Sequence, residues 1–225
     1  MSSTTQAGGR PTPSIIVARP GRAVRLVLLM HGVGSVPESM VDSGRRLAAA
    51  DPEAMVVAVA SPQPADISAG RQWFSVRGVT EENRQARVDA AMPGFVSIVG
   101  LWQQEAGVGP AQTLIVGFSQ GGIMALESTR LTQPPALRVA SLAGRYATLP
   151  EHKPAVAAIH LLHGAADTVM APQLAEAAAQ RLRSLGATAT LDILPGVGHE
   201  PHPLLLARLI EHLSEHLGER PAGRG

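Results

Sequence analysis

The stretch Thr113-Leu114-Ile115-Val116-Gly117-Phe118-Ser119-Gln120-Gly121-Gly122 determines how the rest of the chain is interpreted. Its first four residues are apolar or β-branched and predict a buried strand, and residues 123–130 have a helical pattern. Ser119 therefore lies in a Gly-x-Ser-x-Gly turn between a strand and a helix, the context in which this pattern presents a nucleophilic hydroxyl group. Side chains at Gly117 and Gly121 would collide in so sharp a turn, which explains both glycines. The alternative is an ordinary strand-to-helix turn that contains a small polar residue.

Length and composition exclude several classes of protein. A chain of 225 residues fits one α/β domain, and 45% hydrophobic against 16% charged residues is typical of a globular protein. The formal net charge is +1, and no block of like charges indicates binding to nucleic acid. The sequence contains no cysteine, so disulfides, thiolate metal sites and a cysteine nucleophile are excluded.

The two ends of the chain differ from its middle. Residues 1–13 are polar and are predicted to form a flexible leader, residues 14–217 a single domain, and residues 218–225 a disordered tail. The leader lacks the apolar core of a signal peptide, and no apolar run approaches the roughly 18 residues of a membrane-spanning helix. We therefore expect a cytoplasmic protein without stable membrane insertion.

Seven short apolar runs alternate with helical patterns. The runs predicted as strands are 14–18, 24–30, 54–60, 113–116, 138–142, 157–162 and 188–194. The segments predicted as helices after the first two strands are 37–50, 81–105 with a kink or break at Pro93-Gly94, 123–130, 174–185 and 204–217, whereas 61–80 is predicted as a loop. This alternation predicts an α/β fold with a mostly parallel sheet of about seven strands, covered by helices on both faces. In such sheets the functional site lies at the carboxyl ends of the strands.

A serine hydroxyl needs a base to take its proton and an acid to orient that base. In sheets with this kind of turn, the order along the chain is serine, acid, histidine. Of the three histidines at predicted strand ends, His31, His163 and His199, only His199 follows both Ser119 and a plausible acid. The alternative for His199 is a solvated surface residue.

Asp167 is the predicted acid because it comes directly after a strand, whereas Asp192 lies inside the last strand and Glu176 is a weaker candidate. An Asp in such a loop can instead cap the helix that begins near Pro172. The two backbone N–H donors of an oxyanion hole are predicted at Gln120, the residue after the nucleophile, and at Val33, in the loop after an early strand. Glycines such as Gly32 allow the backbone of that loop to approach a substrate closely.

Several motifs taken together resemble the phospholipase/carboxylesterase family of small α/β-hydrolases. They are His31-Gly32-x-Gly34, Trp73-Phe74, Gly117-Phe118-Ser119-Gln120-Gly121-Gly122, His163-Gly164-x-x-Asp167 and Gly198-His199. Residues 70–76 and 82–84 most resemble the YpfH-type bacterial esterases of that family, and the similarity runs from about residue 24 to residue 217. The resemblance implies an α/β-hydrolase fold, a Ser-His-Asp hydrolase acting on carboxylic esters, and a position for Trp73 near the substrate entrance. Phe118 is expected either to shape the substrate pocket or to pack against the sheet.

The residues and the resemblance together predict a serine carboxylesterase without a cofactor or a metal. No long insertion follows the strand at 138–142, so we expect no lid domain and a preference for small or short-chain acyl esters. An acyl thioesterase or lysophospholipase is the alternative enzyme, and a ligand-binding protein on a hydrolase fold is the alternative of another class. A homodimer is left open. The pattern His212-x-x-Glu215-His216 is interpreted as a solvated helix face rather than as a zinc site.

Overall fold

The computed structural model describes residues 13–217, so nearly all of the predicted leader and the whole predicted tail lie outside the described residues. The strands are β1 (Ile15–Ala18), β2 (Arg25–Met30), β3 (Ala54–Val59), β4 (Gln63–Pro64), β5 (Arg71–Gln72), β6 (Thr113–Phe118), β7 (Arg138–Leu142), β8 (Ala158–Gly164) and β9 (Ala189–Leu194). The helices are α1 (Val41–Ala50), α2 (Glu81–Ala106), α3 (Gln120–Ser128), α4 (Gln173–Ser184) and α5 (Pro203–Leu217), and single 3-10 turns cover Pro37–Met40 and Pro110–Gln112.

The central sheet has seven strands in the order β1-β3-β2-β6-β7-β8-β9. All neighbours are parallel except β1, which pairs antiparallel with β3. Every residue of β3 is buried, as expected for an aliphatic strand with both faces covered. The prediction of a mostly parallel α/β-hydrolase sheet is confirmed.

Helices cover both faces of this sheet. On one face, Phe95 of α2, Met124 of α3 and Leu182 of α4 belong to a single apolar cluster. On the other face, Leu47 of α1 and Leu209 of α5 belong to a second cluster. The carboxyl ends of β6, β8 and β9 are left for the loops that carry the predicted site.

Two local predictions need correction. Of the kink or break expected at Pro93-Gly94, the break is wrong, because α2 continues through both residues as one helix. Pro93 lies on the exposed side of the helix, where water can bond to the carbonyl group that loses its partner. Within the predicted loop 61–80, β4 and β5 form an antiparallel pair. Strands of two residues each are too short to show an alternating pattern.

The connection between β7 and β8, residues 143–157, contains no helix and adds no layer over the strand ends. None of the helices formed by residues 13–217 has the length and apolarity needed to cross a membrane.

Candidate active site

Ser119 lies between β6 and α3 in a backbone conformation that is unusual for a residue with a side chain. Its φ is 52° and its ψ is −116°. A non-glycine residue in such a region costs about 1–3 kcal/mol and persists only where the surrounding structure imposes it. Here the N–H of Ser119 donates to the carbonyl oxygen of Leu142, 2.9 Å away, and its own carbonyl accepts from the N–H of Ile123 at 3.0 Å. The strand and the helix therefore hold the turn from both sides.

The two flanking glycines have the steric role that the sequence predicted. A Cβ at Gly117 would lie 2.2 Å from the carbonyl oxygen of Gly121, and a Cβ at Gly121 would lie 2.2 Å from the carbonyl oxygen of Met30. Both obstructing atoms belong to backbone that the sheet or the helix fixes. No side chain fits at either position while the turn keeps this shape.

The three residues predicted as nucleophile, base and acid lie together at the carboxyl edge of the sheet. The Ser119 Oγ is 2.9 Å from Nε2 of His199, and Nδ1 of His199 is 2.7 Å from Oδ2 of Asp167. His199 comes from the loop between β9 and α5, and Asp167 from the loop after β8. The side chain of His199 is only 16% exposed, so it is not a solvated surface residue.

The Asp167 carboxylate is bound through both of its oxygen atoms. The backbone N–H groups of Val169 and Met170 each donate to Oδ1 at 2.8 Å. Burial acts to raise the pKa of Asp167, but the hydrogen bonds from Met170, His199 and Val169 outweigh it, and the pKa lies below its usual value. Because the ionised carboxylate only accepts, Nδ1 of His199 must carry a proton, and Nε2 is free to accept the hydroxyl of Ser119.

Asp167 does not cap α4. That helix begins at Gln173, and Pro172 occupies the capping position. The oxygen atoms of Asp167 are occupied instead by the turn that follows it and by His199. The capping alternative is therefore wrong.

His163 contacts the acid and had no role in the sequence prediction. Its Nε2 lies 2.8 Å from the carbonyl oxygen of Met170 and 3.1 Å from Oδ2 of Asp167. A carbonyl oxygen can only accept, so Nε2 carries the proton and donates it to Met170, with the Asp167 carboxylate beside it. The sequence placed His163 at a strand end but gave no sign that it faces Asp167.

The predicted oxyanion donors belong to the two segments that adjoin Ser119, the start of α3 and the loop after β2. Gln120 is the first residue of α3, so its N–H has no acceptor within the helix. Val33 follows β2, and within residues 13–217 the structure shows no acceptor for its N–H. A Cβ at neighbouring Gly32 would lie 3.2 Å from the Cβ of Ser119, so this loop passes directly against the nucleophile.

Phe118 lies beside the base. Its ring centroid is 5.1 Å from that of His199, with the planes tilted by 43°. The same ring packs against the apolar cluster on the α1 and α5 face of the sheet. Phe118 therefore both packs against the sheet and forms part of the wall around His199.

Trp73 lies beneath the site rather than at its entrance. Its residue surface is 1% exposed, and its indole packs edge-on against Phe95 of α2, with ring centroids 5.4 Å apart. Its Nε1–H donates to the carbonyl oxygen of His31 at 2.9 Å. The predicted position near the substrate entrance is therefore wrong.

The side chain of Gln120 is a second feature that the sequence did not reveal. Its Oε1 accepts from the N–H of Trp73 at 2.8 Å, and its Nε2 donates to the carbonyl oxygen of Phe74 at 2.7 Å. The residue is 3% exposed. Only the backbone N–H of Gln120 had been predicted to matter, because the position after the nucleophile predicts nothing about a side chain.

His212 was expected on a solvated helix face, and the structure shows that this prediction is wrong. Its Nε2 lies 2.6 Å from Oδ2 of Asp192, and its ring stacks on that of His160 at 5.4 Å. Arg208 of the same helix also donates to Asp192, which lies inside β9. Burial acts to raise the pKa of Asp192, but the hydrogen bonds from His212 and Arg208 bring it below its usual value. Among the side chains that the structure describes, which end at residue 214, no three His, Asp or Glu groups are arranged to hold a metal ion.

Comparisons with known proteins agree with the fold and with the motifs. The protein-family model described as Phospholipase/Carboxylesterase matches residues 12–217. Esterase YpfH of Escherichia coli (strain K12) is 46% identical over 191 residues, which cover 85% of this chain and 82% of that protein. The structure of esterase PE8 has a TM-score of 0.78 at 29% identity, with 91% of this chain and 97% of that chain covered. A carboxylesterase from Mesorhizobium loti has a TM-score of 0.72 at 22% identity, with 84% and 88% covered, and shows the shared fold alone.

Proposed function

The chain belongs to the phospholipase/carboxylesterase family, and from that premise we propose that it is a serine carboxylesterase whose catalytic residues are Ser119, His199 and Asp167. The observation that carries the proposal is the hydrogen-bond chain from the Ser119 hydroxyl through both ring nitrogens of His199 to the ionised Asp167. Two similar proteins, Esterase YpfH of Escherichia coli and esterase PE8, are named as esterases, which supports the same reaction.

The reaction follows from the directions of these hydrogen bonds. Nε2 of His199 takes the hydroxyl proton as Oγ of Ser119 attacks the acyl carbonyl carbon. The resulting imidazolium, with Asp167 behind it, returns the proton to the leaving alcohol, and an acyl-enzyme remains. A water molecule, deprotonated by His199, then attacks the acyl carbon and releases the carboxylic acid, with the proton returned to Ser119.

The negative charge on the carbonyl oxygen develops next to the start of α3. We assign its stabilisation to the N–H groups of Gln120 and Val33, one of which belongs to the positive end of the helix dipole. Loss of one such donor lowers kcat by about 10²–10³ in other hydrolases. Gly32 and Phe118, which lie against Ser119 and His199, are proposed to contact the acyl group.

We propose small or short-chain acyl esters as the substrates. The connection of residues 143–157 contains no helix that could form a lid, which supports an open site suited to small acyl groups. Thioesters are the second candidate class, because the same oxyanion and the same acyl-enzyme would form from them.

Labelling with a fluorophosphonate tests the mechanism. We expect an adduct on Ser119 in the wild type, none in Ser119→Ala, and greatly slowed labelling in His199→Ala, because an unactivated hydroxyl does not react. Absence of labelling in a folded wild type would support a non-catalytic ligand-binding protein instead. A series of nitrophenyl esters of increasing chain length, measured in competition with matched thioesters, tests the substrate class. Fastest turnover of long chains would contradict our choice.

The location and the assembly stay predictions from the sequence. We propose that the enzyme acts in the cytoplasm on a diffusing small-molecule ester and has no nucleic-acid partner. Light scattering of the purified full chain will show whether it forms a homodimer.

A further inference from the structure

The segment Trp73-Phe74, which follows β5, connects the two arms of the proposed oxyanion hole. One arm is the start of α3, which carries the N–H of Gln120, and the other is the loop after β2, which carries the N–H of Val33. Trp73 contacts both arms through hydrogen bonds. We propose that Trp73 and the side chain of Gln120 are positioning residues that fix the separation of the two N–H donors. This inference rests on the proposed function, since it concerns the same oxyanion.

The Gln120 carboxamide attaches this segment to the start of α3. Its oxygen accepts from the N–H of Trp73, and its nitrogen donates to the carbonyl of Phe74. Both functional groups of the amide are used in the way that a neighbouring strand would use them. Because the residue is buried, loss of these bonds would leave the two backbone groups without solvent to replace them.

The indole of Trp73 attaches the same segment to the loop after β2. Its Nε1–H donates to the carbonyl oxygen of His31, which belongs to the peptide unit just before Gly32 and Val33. The ring cannot move away easily, because Phe95 packs edge-on against it in the core. The hydrogen bond therefore fixes the peptide plane from which the Val33 loop extends.

Neither side chain can touch a substrate, and this distinguishes positioning from binding. Both residues are almost completely buried. They can act only through the placement of the N–H groups, which must lie about 3 Å from the oxyanion that forms in the transition state. A displacement of about 1 Å can cost about 10²-fold in rate. Their loss should therefore lower kcat and leave KM nearly unchanged.

The variant Trp73→Phe tests this most directly, because it removes the Nε1–H donor and keeps an aromatic ring. We expect kcat on a short-chain nitrophenyl ester to fall about tenfold, and the Ki of an alkylboronic acid, whose adduct imitates the tetrahedral oxyanion, to rise about tenfold. KM should stay within about twofold. The matched control is Val99→Ala, which removes apolar contacts from the core cluster that contains Trp73 without removing a hydrogen bond. It should lower the unfolding temperature but leave kcat and the boronic acid Ki within about twofold.

A second variant, Gln120→Met, removes the other half of the connection with little change in volume. It should likewise lower kcat and leave KM nearly unchanged. The double variant with Trp73→Phe should lower kcat by less than the product of the two single effects. Unchanged kcat and Ki in Trp73→Phe, a change in KM alone, or an equal loss in Val99→Ala would overturn the inference. Endpoint fluorophosphonate labelling separates this failure from failure of the proposed function, because all variants should still label Ser119 if the triad is intact.

Discussion

Replacing Asp167 by Asn tests the direction of every hydrogen bond in the site, because the two carboxylate oxygens have different neighbours. Oδ1 accepts from the N–H groups of Val169 and Met170, each at 2.8 Å. The amide oxygen of an Asn must occupy this position, since an NH₂ group there would oppose two donors. The NH₂ group must then take the place of Oδ2, which lies 2.7 Å from Nδ1 of His199.

This arrangement forces His199 into the wrong tautomer. The amide donates to Nδ1, so the ring proton moves to Nε2, where it faces the Ser119 hydroxyl at 2.9 Å and cannot accept from it. The same NH₂ group would also lie 3.1 Å from the protonated Nε2 of His163, which donates to Met170 and has no lone pair to accept from the amide. We expect kcat to fall by about 10⁴, the cost of the same exchange in a Ser-His-Asp protease, which corresponds to about 5.5 kcal/mol.

The assay is kcat/KM on a short-chain nitrophenyl ester between about pH 5 and pH 9, with folding checked by thermal unfolding. The matched control is Asp192→Asn, which removes a carboxylate of similar burial that also binds a histidine but faces the sheet. It should leave kcat/KM within about twofold of the wild type. A folded Asp167→Asn enzyme that retains more than a tenth of the wild-type rate would refute the tautomer argument.

Three further predictions concern stability. In Gly121→Ala the new methyl group would meet backbone at 2.2 Å, so we expect the free energy of unfolding in denaturant to fall by about 3 kcal/mol or more. The control is Gly100→Ala in α2, where a new Cβ meets nothing within 4 Å, and its free energy of unfolding should rise by up to about 1 kcal/mol. Asp192→Asn should cost about 1–3 kcal/mol at neutral pH through its bond to His212. Because the folded pKa of Asp192 is lowered, this stability is present above the unfolded pKa of about 3.9 and is lost as the pH falls through the folded value, so wild type and variant should converge in acid. Ser119→Gly should melt about 2–4 °C above Ser119→Ala, because glycine accepts the φ of 52° without strain, and equal melting temperatures would show that the turn is unstrained.

The parts of the fold that could be predicted depend on local pattern. The continuous aliphatic runs of β2 and β3 are strands because a sheet covered on both faces has no exposed side to alternate with. The catalytic candidates could be predicted for a related reason. Parallel strands end at one edge, so polar residues in the loops that follow β6, β8 and β9 can meet there.

The parts that could not be predicted depend on what lies across from a residue. Trp73 was expected near the substrate entrance, but its environment is set by Phe95 and by the carbonyl of His31, neither of which is near it in sequence. His212 was expected in solvent, but Asp192 of the adjacent strand turns towards it. The hydrophobic periodicity of the sequence does not predict either contact.

In Gln120 the role of the backbone could be predicted from the local pattern, whereas the role of the side chain could not. Its backbone N–H is available because the first residue of any helix lacks an acceptor, so the prediction holds for every side chain except proline. Its carboxamide matters because the backbone of Trp73 and Phe74 happens to offer one donor and one acceptor at the matching spacing. A chain with another residue at this position would keep the serine turn, the acid and the histidine, and would lose the connection between the two oxyanion donors. The motif therefore predicts which reaction is catalysed, whereas the rate depends on contacts that the motif does not contain.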